Sequence, residues 1–230
     1  MPLAIRSTLK WGYEHLLPGF VSRPLDFRLR DQIVRLEGRK SDFNLDPLRG
    51  THAIDMTAWR GLGSLGYEIV RHVKPRIVVE LGSHGGFSAF CLGLALRDLG
   101  LGGRLYAVDT WQGDPQTGEY GDEIYQRFLD DRAALGLQET VIPLRMTFEE
   151  ASRAIEPGVD LLHVDGWHTF AAVRRDFATF RPLLSRRAIV MFHDVRTIYR
   201  GMRWFWALMR LRYESCTVPY MHGLGIIRMP

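Results

Sequence analysis

Glu80-Leu-Gly82-Ser-His-Gly85-Gly86-Phe-Ser88 is the stretch on which the fold turns. Before it, Arg76-Ile-Val-Val is a short β-branched run that suits a buried strand; after it, Phe87 to Leu99 reads as a helix. Glycines between a strand and a helix let the backbone turn tightly and approach a ligand, while the helix start offers unpaired amides. A dinucleotide fingerprint would place glycines first, third and sixth, but His84 takes the third place and an acid stands just before the loop. A carboxylate there repels a pyrophosphate and attracts a cationic amine. No Gly-Lys-Ser/Thr follows, which excludes a P-loop. A plain strand-to-helix turn uses the same glycines, so the loop by itself assigns no ligand.

Outward from this stretch the pattern repeats. Strand-like runs at Arg104–Asp109, Val141–Leu144, Val159–Asp165 and Ala188–Phe192 alternate with helical segments around Asp122–Leu135 and Phe170–Leu183. Thr147-Phe-Glu-Glu150 fits a capping box that opens a further helix. Helical residues Tyr199–Leu211 lead to two last strand-like runs, Ser215–Tyr220 and Leu224–Met229. This alternation predicts an α/β fold, a doubly wound, mostly parallel seven-stranded sheet covered on both faces. Ligands in such sheets bind outside the carboxyl ends of the strands, and Glu80, Asp109, Asp165 and Asp194 all stand at those ends. Residues 1–50 lack this rhythm: Pro18, Pro24 and Asp46-Pro47 interrupt scattered apolar residues such as Trp11 and Phe20. They are expected to form an N-terminal helical cap or lid, with residues 51–230 as the catalytic domain.

Composition narrows the classes. With 46% hydrophobic residues and a net charge of only +4, the chain is not dominated by disorder. No dense Lys/Arg run marks a nucleic-acid partner, and no stretch approaches the length and apolarity of a membrane span. Two cysteines, Cys91 and Cys216, make no disulfide framework and point to a reducing, cytoplasmic location. Arg6 and Lys10 interrupt the one N-terminal candidate for a signal core. The Arg203-Trp-Phe-Trp206 patch reads as core or as a homodimer interface.

At Glu80, Gly82 and Gly86 the chain resembles the class I S-adenosylmethionine-dependent methyltransferases, whose first motif is acid-x-Gly-x-x-x-Gly. The Gly-Phe-Ser ending is similar to the catechol-type O-methyltransferase version. Val-Asp165-Gly-x-His168 with Phe-His193-Asp194 resembles the small bacterial branch, some of whose members act on sugars or glycosides. The resemblance covers roughly residues 55 to 230 and implies a Rossmann-like fold with an antiparallel last strand. It further implies that Glu80, Gly82, Ser83, Gly86 and Ser88 cradle the methionine part of S-adenosylmethionine. Asp109 would take both ribose hydroxyls, which agrees with the capacity of one carboxylate to accept two hydrogen bonds from a cis-diol. Thr110, Thr147 and Phe148, with Met146, would lie near the adenosine, and Asp165 would complete the cofactor site.

In metal-dependent relatives of this type, acids after strands four and five hold Mg²⁺ against the oxygens of a diol. Carried over, Asp165 and Asp194 are metal ligands and His193 takes the third ligand position, a departure that tilts the site from Mg²⁺ toward Mn²⁺, Co²⁺ or Zn²⁺. His168 stands where the catechol enzymes have a lysine base, and an imidazole with an ordinary pKa of about 6.5 suits that role. The long connection after Asp109 reads as a lid; Trp111 in it would stack on adenine or on a sugar, or else anchor the loop by burial. The function so read is O-methylation of a small-molecule or glycan hydroxyl with divalent-metal assistance. Two rivals stay open. His163, Asp165 and His193 have the composition of a non-haem iron oxygenase triad, and a non-catalytic nucleoside-binding relative would keep the cofactor pocket alone.

Overall fold

The computed structural model describes Ile33 and residues 43–55, 57–100, 102–115, 118–219 and 221–230. In it the apolar runs form one seven-stranded sheet: β1 (Ile77–Leu81), β2 (Arg104–Asp109), β3 (Val141–Arg145), β4 (Val159–Val164), β5 (Leu184–Phe192), β6 (Glu214–Val218) and β7 (Leu224–Arg228). Their order is β3-β2-β1-β4-β5-β7-β6. The first five run parallel, and β7 lies antiparallel to both β5 and β6, as expected. Strand neighbours change direction of travel between β1 and β4, the switch point at which such a sheet opens a crevice.

Alternation along the strands makes two layers. Val78, Leu161, Ile189 and Met191 face one apolar cluster, which holds α1 (Gly63–Val73), α2 (Phe87–Asp98) and α3 (Asp122–Ala134). Val79, Leu162, Val190 and Phe192 face the other, which holds α4 (Phe148–Ala154), α5 (Phe170–Phe180) and α6 (Arg200–Arg212). Local chemistry sets the helix ends. Lys74 in the left-handed region and Pro75 stop α1, the Thr147/Glu150 capping box starts α4, and Thr169 Oγ1 accepts from Ala172 N at the start of α5.

Short 3₁₀ turns at His52–Asp55 and Arg60–Leu62 lead into α1. Two expectations shift. The fifth strand starts at Leu184, earlier than its apolar run, because the ladder jumps from Val159–Leu184 to Leu161–Ile189 and bulges between. The Arg203–Trp206 patch divides: Phe205 and Trp206 are buried, while Trp204 is exposed with Leu208 and Leu211. The N-terminal cap falls almost wholly outside the described residues; within it, Ile33 and Leu48 are buried. No helix among the described residues is long and apolar enough to cross a membrane.

Phe192 sits between Phe177 and Phe205 with ring centroids at 5.5 and 5.3 Å. Replacing it with alanine should lower unfolding free energy by about 3–5 kcal/mol in urea titrations. Trp204→Ala should change it by less than about 0.5 kcal/mol, since that ring packs on little.

Candidate active site

The site begins with a carboxylate that gathers two loops. Asp109, at the end of β2, accepts from His84 N at 2.9 Å and from Trp111 N at 2.8 Å, one bond to each oxygen. Both donors have positive φ, 43° at His84 and 52° at Trp111, a conformation most side chains avoid. Burial pushes the Asp109 carboxyl up, and those two N–H bonds pull it back. Gly82 (φ 91°) is required by space as well: a Cβ there would lie 2.3 Å from the carbonyl oxygen of Asp165. At Gly86 (φ 88°) a Cβ would strike Phe128 and Phe90 at 2.6–2.7 Å. The glycines thus let the β1–α2 loop close against the end of β4.

A second cluster forms where β4 and β5 end side by side. Asp194 takes an ion pair from His168 Nε2 at 2.7 Å and from His222 Nδ1 at 3.1 Å. His193 Nε2 donates to the Met221 carbonyl at 3.0 Å, while its Nδ1 lies 3.3 Å from Asp165 and 3.6 Å from Asp194. Tyr199 stacks flat on the His168 ring, 4.9 Å between centroids and 5° between planes. Burial alone would lower His168, but hydrogen bonds and charge from Asp165 and Asp194 overcome it and raise its pKa to about 9. His193 is raised by the same contest between burial and the Asp165 and Asp194 carboxylates. Asp165, which burial would raise, is held well below the usual carboxylate range by the His193 charge and by hydrogen bonds from His168 and His193. Ligand atoms of Asp165, His168 and Asp194 lie within 4.8 Å of one another, close enough for one cation.

Both clusters open into one cleft of about 860 Å³ along the carboxyl edge of the sheet. Of the residues singled out in the sequence, Gly82, Ser83, Gly86, Ser88, Asp109, Thr110, Thr147, Phe148, Asp165, His168, His193 and Asp194 line it. Glu80 and Trp111 do not. Glu80 lies fully buried beneath the loop, where β1–β4 register sets it beside His163 and its Oε1 bonds Nδ1 at 2.9 Å. Trp111 is the buried anchor: its Nε1 donates to His84 O at 2.8 Å and its ring packs on Tyr125 and Phe128, so it has no face left for adenine or a sugar. Asp165, His168 and Asp194 form the gathered cation donors, and His193 keeps its Nδ1 toward both carboxylates while its Nε2 donates to the Met221 carbonyl. His163 turns to Glu80, so the oxygenase triad is not assembled around it. Sequence reasoning passed over Trp167, which stands 39% exposed on the cleft wall, and His222 and Asp176. No motif marked the last two, which reach the site only through the β7 and α5 packing.

A protein family described as a methyltransferase domain matches residues 79–195, just over half of the chain. The uncharacterized protein y4gI of Sinorhizobium fredii is 40% identical over 205 residues, which are 86% of this chain and 22% of that protein. The chain therefore spans about a fifth of the length of the curated relative it matches. Among solved structures, the S-adenosylhomocysteine-bound methyltransferase PaMTH1 of Podospora anserina superposes with a TM-score of 0.65 at 18% identity, covering 93% of this chain and 100% of that one. The O-methyltransferase TomG of Streptomyces achromogenes, in complex with S-adenosylmethionine, gives 0.63 at 15% identity over 87% and 96% of the two chains. At these identities the likeness is one of fold.

The raised His168 pKa makes stability depend on pH. Its contribution is complete below the unfolded value of about 6.5 and is lost as pH rises through about 9. Urea titrations in EDTA should show a loss on the order of 3 kcal/mol between pH 6.5 and 10, and His168→Gln should shrink that loss.

Proposed function

The chain belongs to the methyltransferase domain family, and on that ground we propose that it moves the methyl group of S-adenosylmethionine to a hydroxyl oxygen. The acceptor is a sugar, a glycoside or another polyhydroxylated small molecule. One observation carries the reading: a single cleft pairs the glycine cradle closed by Asp109 with the Asp165–His168–Asp194 cluster.

The residues fit the cofactor. Bare backbone at Gly82 and Gly86 leaves room for close approach, and each Asp109 oxygen keeps lone-pair capacity beyond its one N–H bond, enough for a ribose cis-diol. Ser83 and Ser88 offer hydroxyls at the start of α2, and Thr147 and Phe148 stand at the β3 end where a base would lie. Glu80, buried under the loop and bonded to His163, sits beneath the cradle and does not reach the ligand directly.

The residues also fit a divalent cation: the Asp165 and Asp194 carboxylates converge and His193 Nδ1 faces both at 3.3 and 3.6 Å, a mixed oxygen and nitrogen set that suits Mn²⁺, Co²⁺ or Zn²⁺ as well as Mg²⁺. When bound, such an ion would polarise the acceptor oxygen and cancel the carboxylate charge that keeps His168 protonated. With the ion on the carboxylates, His168 Nε2, which otherwise pairs with Asp194 at 2.7 Å, would be the nitrogen that takes the acceptor proton, and Tyr199 fixes the plane of its ring. Trp167, at the cleft beside His168, gives an apolar face on which a sugar ring can lie. The exposed Trp204, Leu208 and Leu211 on α6 are the face for a homodimer, and the buried thiols of Cys91 and Cys216, neither in a disulfide, suit the cytoplasm.

Calorimetric titration with S-adenosylhomocysteine tests the cofactor site. Micromolar binding is expected for the wild-type protein with or without EDTA, weakened at least about 100-fold in Asp109→Ala, which removes two loop ties and the diol acceptor. No binding by the wild type sinks the reading. With hydroxylated acceptors, His168→Gln should cut kcat about 10²–10⁴-fold while S-adenosylhomocysteine affinity holds. Cofactor binding without turnover on any such acceptor would favour the non-catalytic alternative.

A further inference from the structure

Asp176 is a buried carboxylate that nothing so far employs. It lies on α5, 4% exposed, on the wall of the cleft. Among the described residues its one charged partner is Arg175 Nε at 3.8 Å, and that arginine side chain is 71% exposed. A carboxylate removed from water without a hydrogen-bond donor is costly, and burial pushes this one up to about 6. Its surroundings say which donor it would meet. A Cβ built on Gly166 would lie 2.7 Å from Phe148 Cε2 and 3.4 Å from Asp176 Oδ2, so the aromatic ring and the carboxylate meet over the same glycine. Phe148 follows β3, beyond Asp109 on β2, and Asp176 reaches from α5 over Gly166, just past the end of β4, to meet it.

We propose that Asp176 reads the exocyclic amine of the cofactor's adenine, and so sets the preference of the cleft for a 6-aminopurine. The inference rests on the cofactor reading above. With the ribose held at Asp109, a base directed toward β3 reaches Phe148, which offers a flat apolar face, and Asp176, which offers an acceptor. An amine supplies the missing N–H to either carboxyl oxygen. A 6-oxopurine turns a lone pair toward the same oxygen and leaves the carboxylate unsatisfied, the situation in which a polar site rejects an analogue most strongly.

Full-length protein should be titrated with S-adenosylhomocysteine and with S-inosylhomocysteine, which differ only at that edge of the base. The wild type should prefer the adenosyl ligand by about tenfold or more, the worth of one hydrogen bond to a charged group. Asp176→Asn keeps size and shape but can accept from an amine or donate to a carbonyl, so its preference should fall to within about threefold. A variant that weakens both ligands equally while keeping the wild-type ratio overturns the inference and leaves the cofactor site standing, as does a wild type that binds both ligands alike. A wild type that binds neither ligand overturns the cofactor reading and this inference together.

Discussion

The Asp109 carboxylate holds the cleft open in its working shape. By accepting from His84 N and Trp111 N it fastens the loop after β1 to the loop after β2, and both donors sit at positive φ. Such conformations persist where the surroundings over-determine them. Here the surroundings are Gly82 against the Asp165 carbonyl, Gly86 against Phe90 and Phe128, and the Trp111 indole bonded back to His84 O. Each tie closes part of the same ring of backbone. The proposed nucleoside cradle is therefore fixed by the chain's own bonds, and little ordering is left for binding to impose.

The charged end of the cleft obeys a different constraint. Asp165 and Asp194 stand together with little water, an arrangement that is unstable unless positive charge lies between or beside them. Two imidazoles supply it: His168 and His193, both raised in pKa, touch both acids, and His222 Nδ1 makes a further contact with Asp194. The same grouping that stabilises the acids keeps His168 protonated, so base strength and charge balance are coupled. A cation at the carboxylates separates the two, which gives the cluster a physical reason to be metal-responsive.

Much of this was legible along the chain. Strand ends carry their acids because period-two apolar runs stop where the sheet meets the crevice, so Asp109, Asp165 and Asp194 could be placed from spacing alone. The β2 span Arg104–Asp109 and the Thr147 capping box read directly, since both depend on neighbouring residues. What failed to read depends on packing. Trp111 has the composition of a stacking platform, and only the apolar pocket of Tyr125 and Phe128 makes it an anchor. The orientation of His193, with Nδ1 toward the acids, is set by the Met221 carbonyl of the β6–β7 connection, which takes its Nε2. His222 and Asp176 arrive from distant elements that no local motif announces.

The burial of Trp111 bears on how such a protein changes over generations. With that indole locked at the base, and Tyr120 N bonded to Gln112 O across the neck, this excursion is pinned where it leaves the sheet, and its Asp114 lines the cleft apart from the two N–H bonds that close on Asp109 at the root. The excursion can then change while Asp109 and the glycines stay under unchanged demands. Selection for a new acceptor would act on the excursion, and selection for the methyl donor on its root, so the two traits can drift apart without trading against each other.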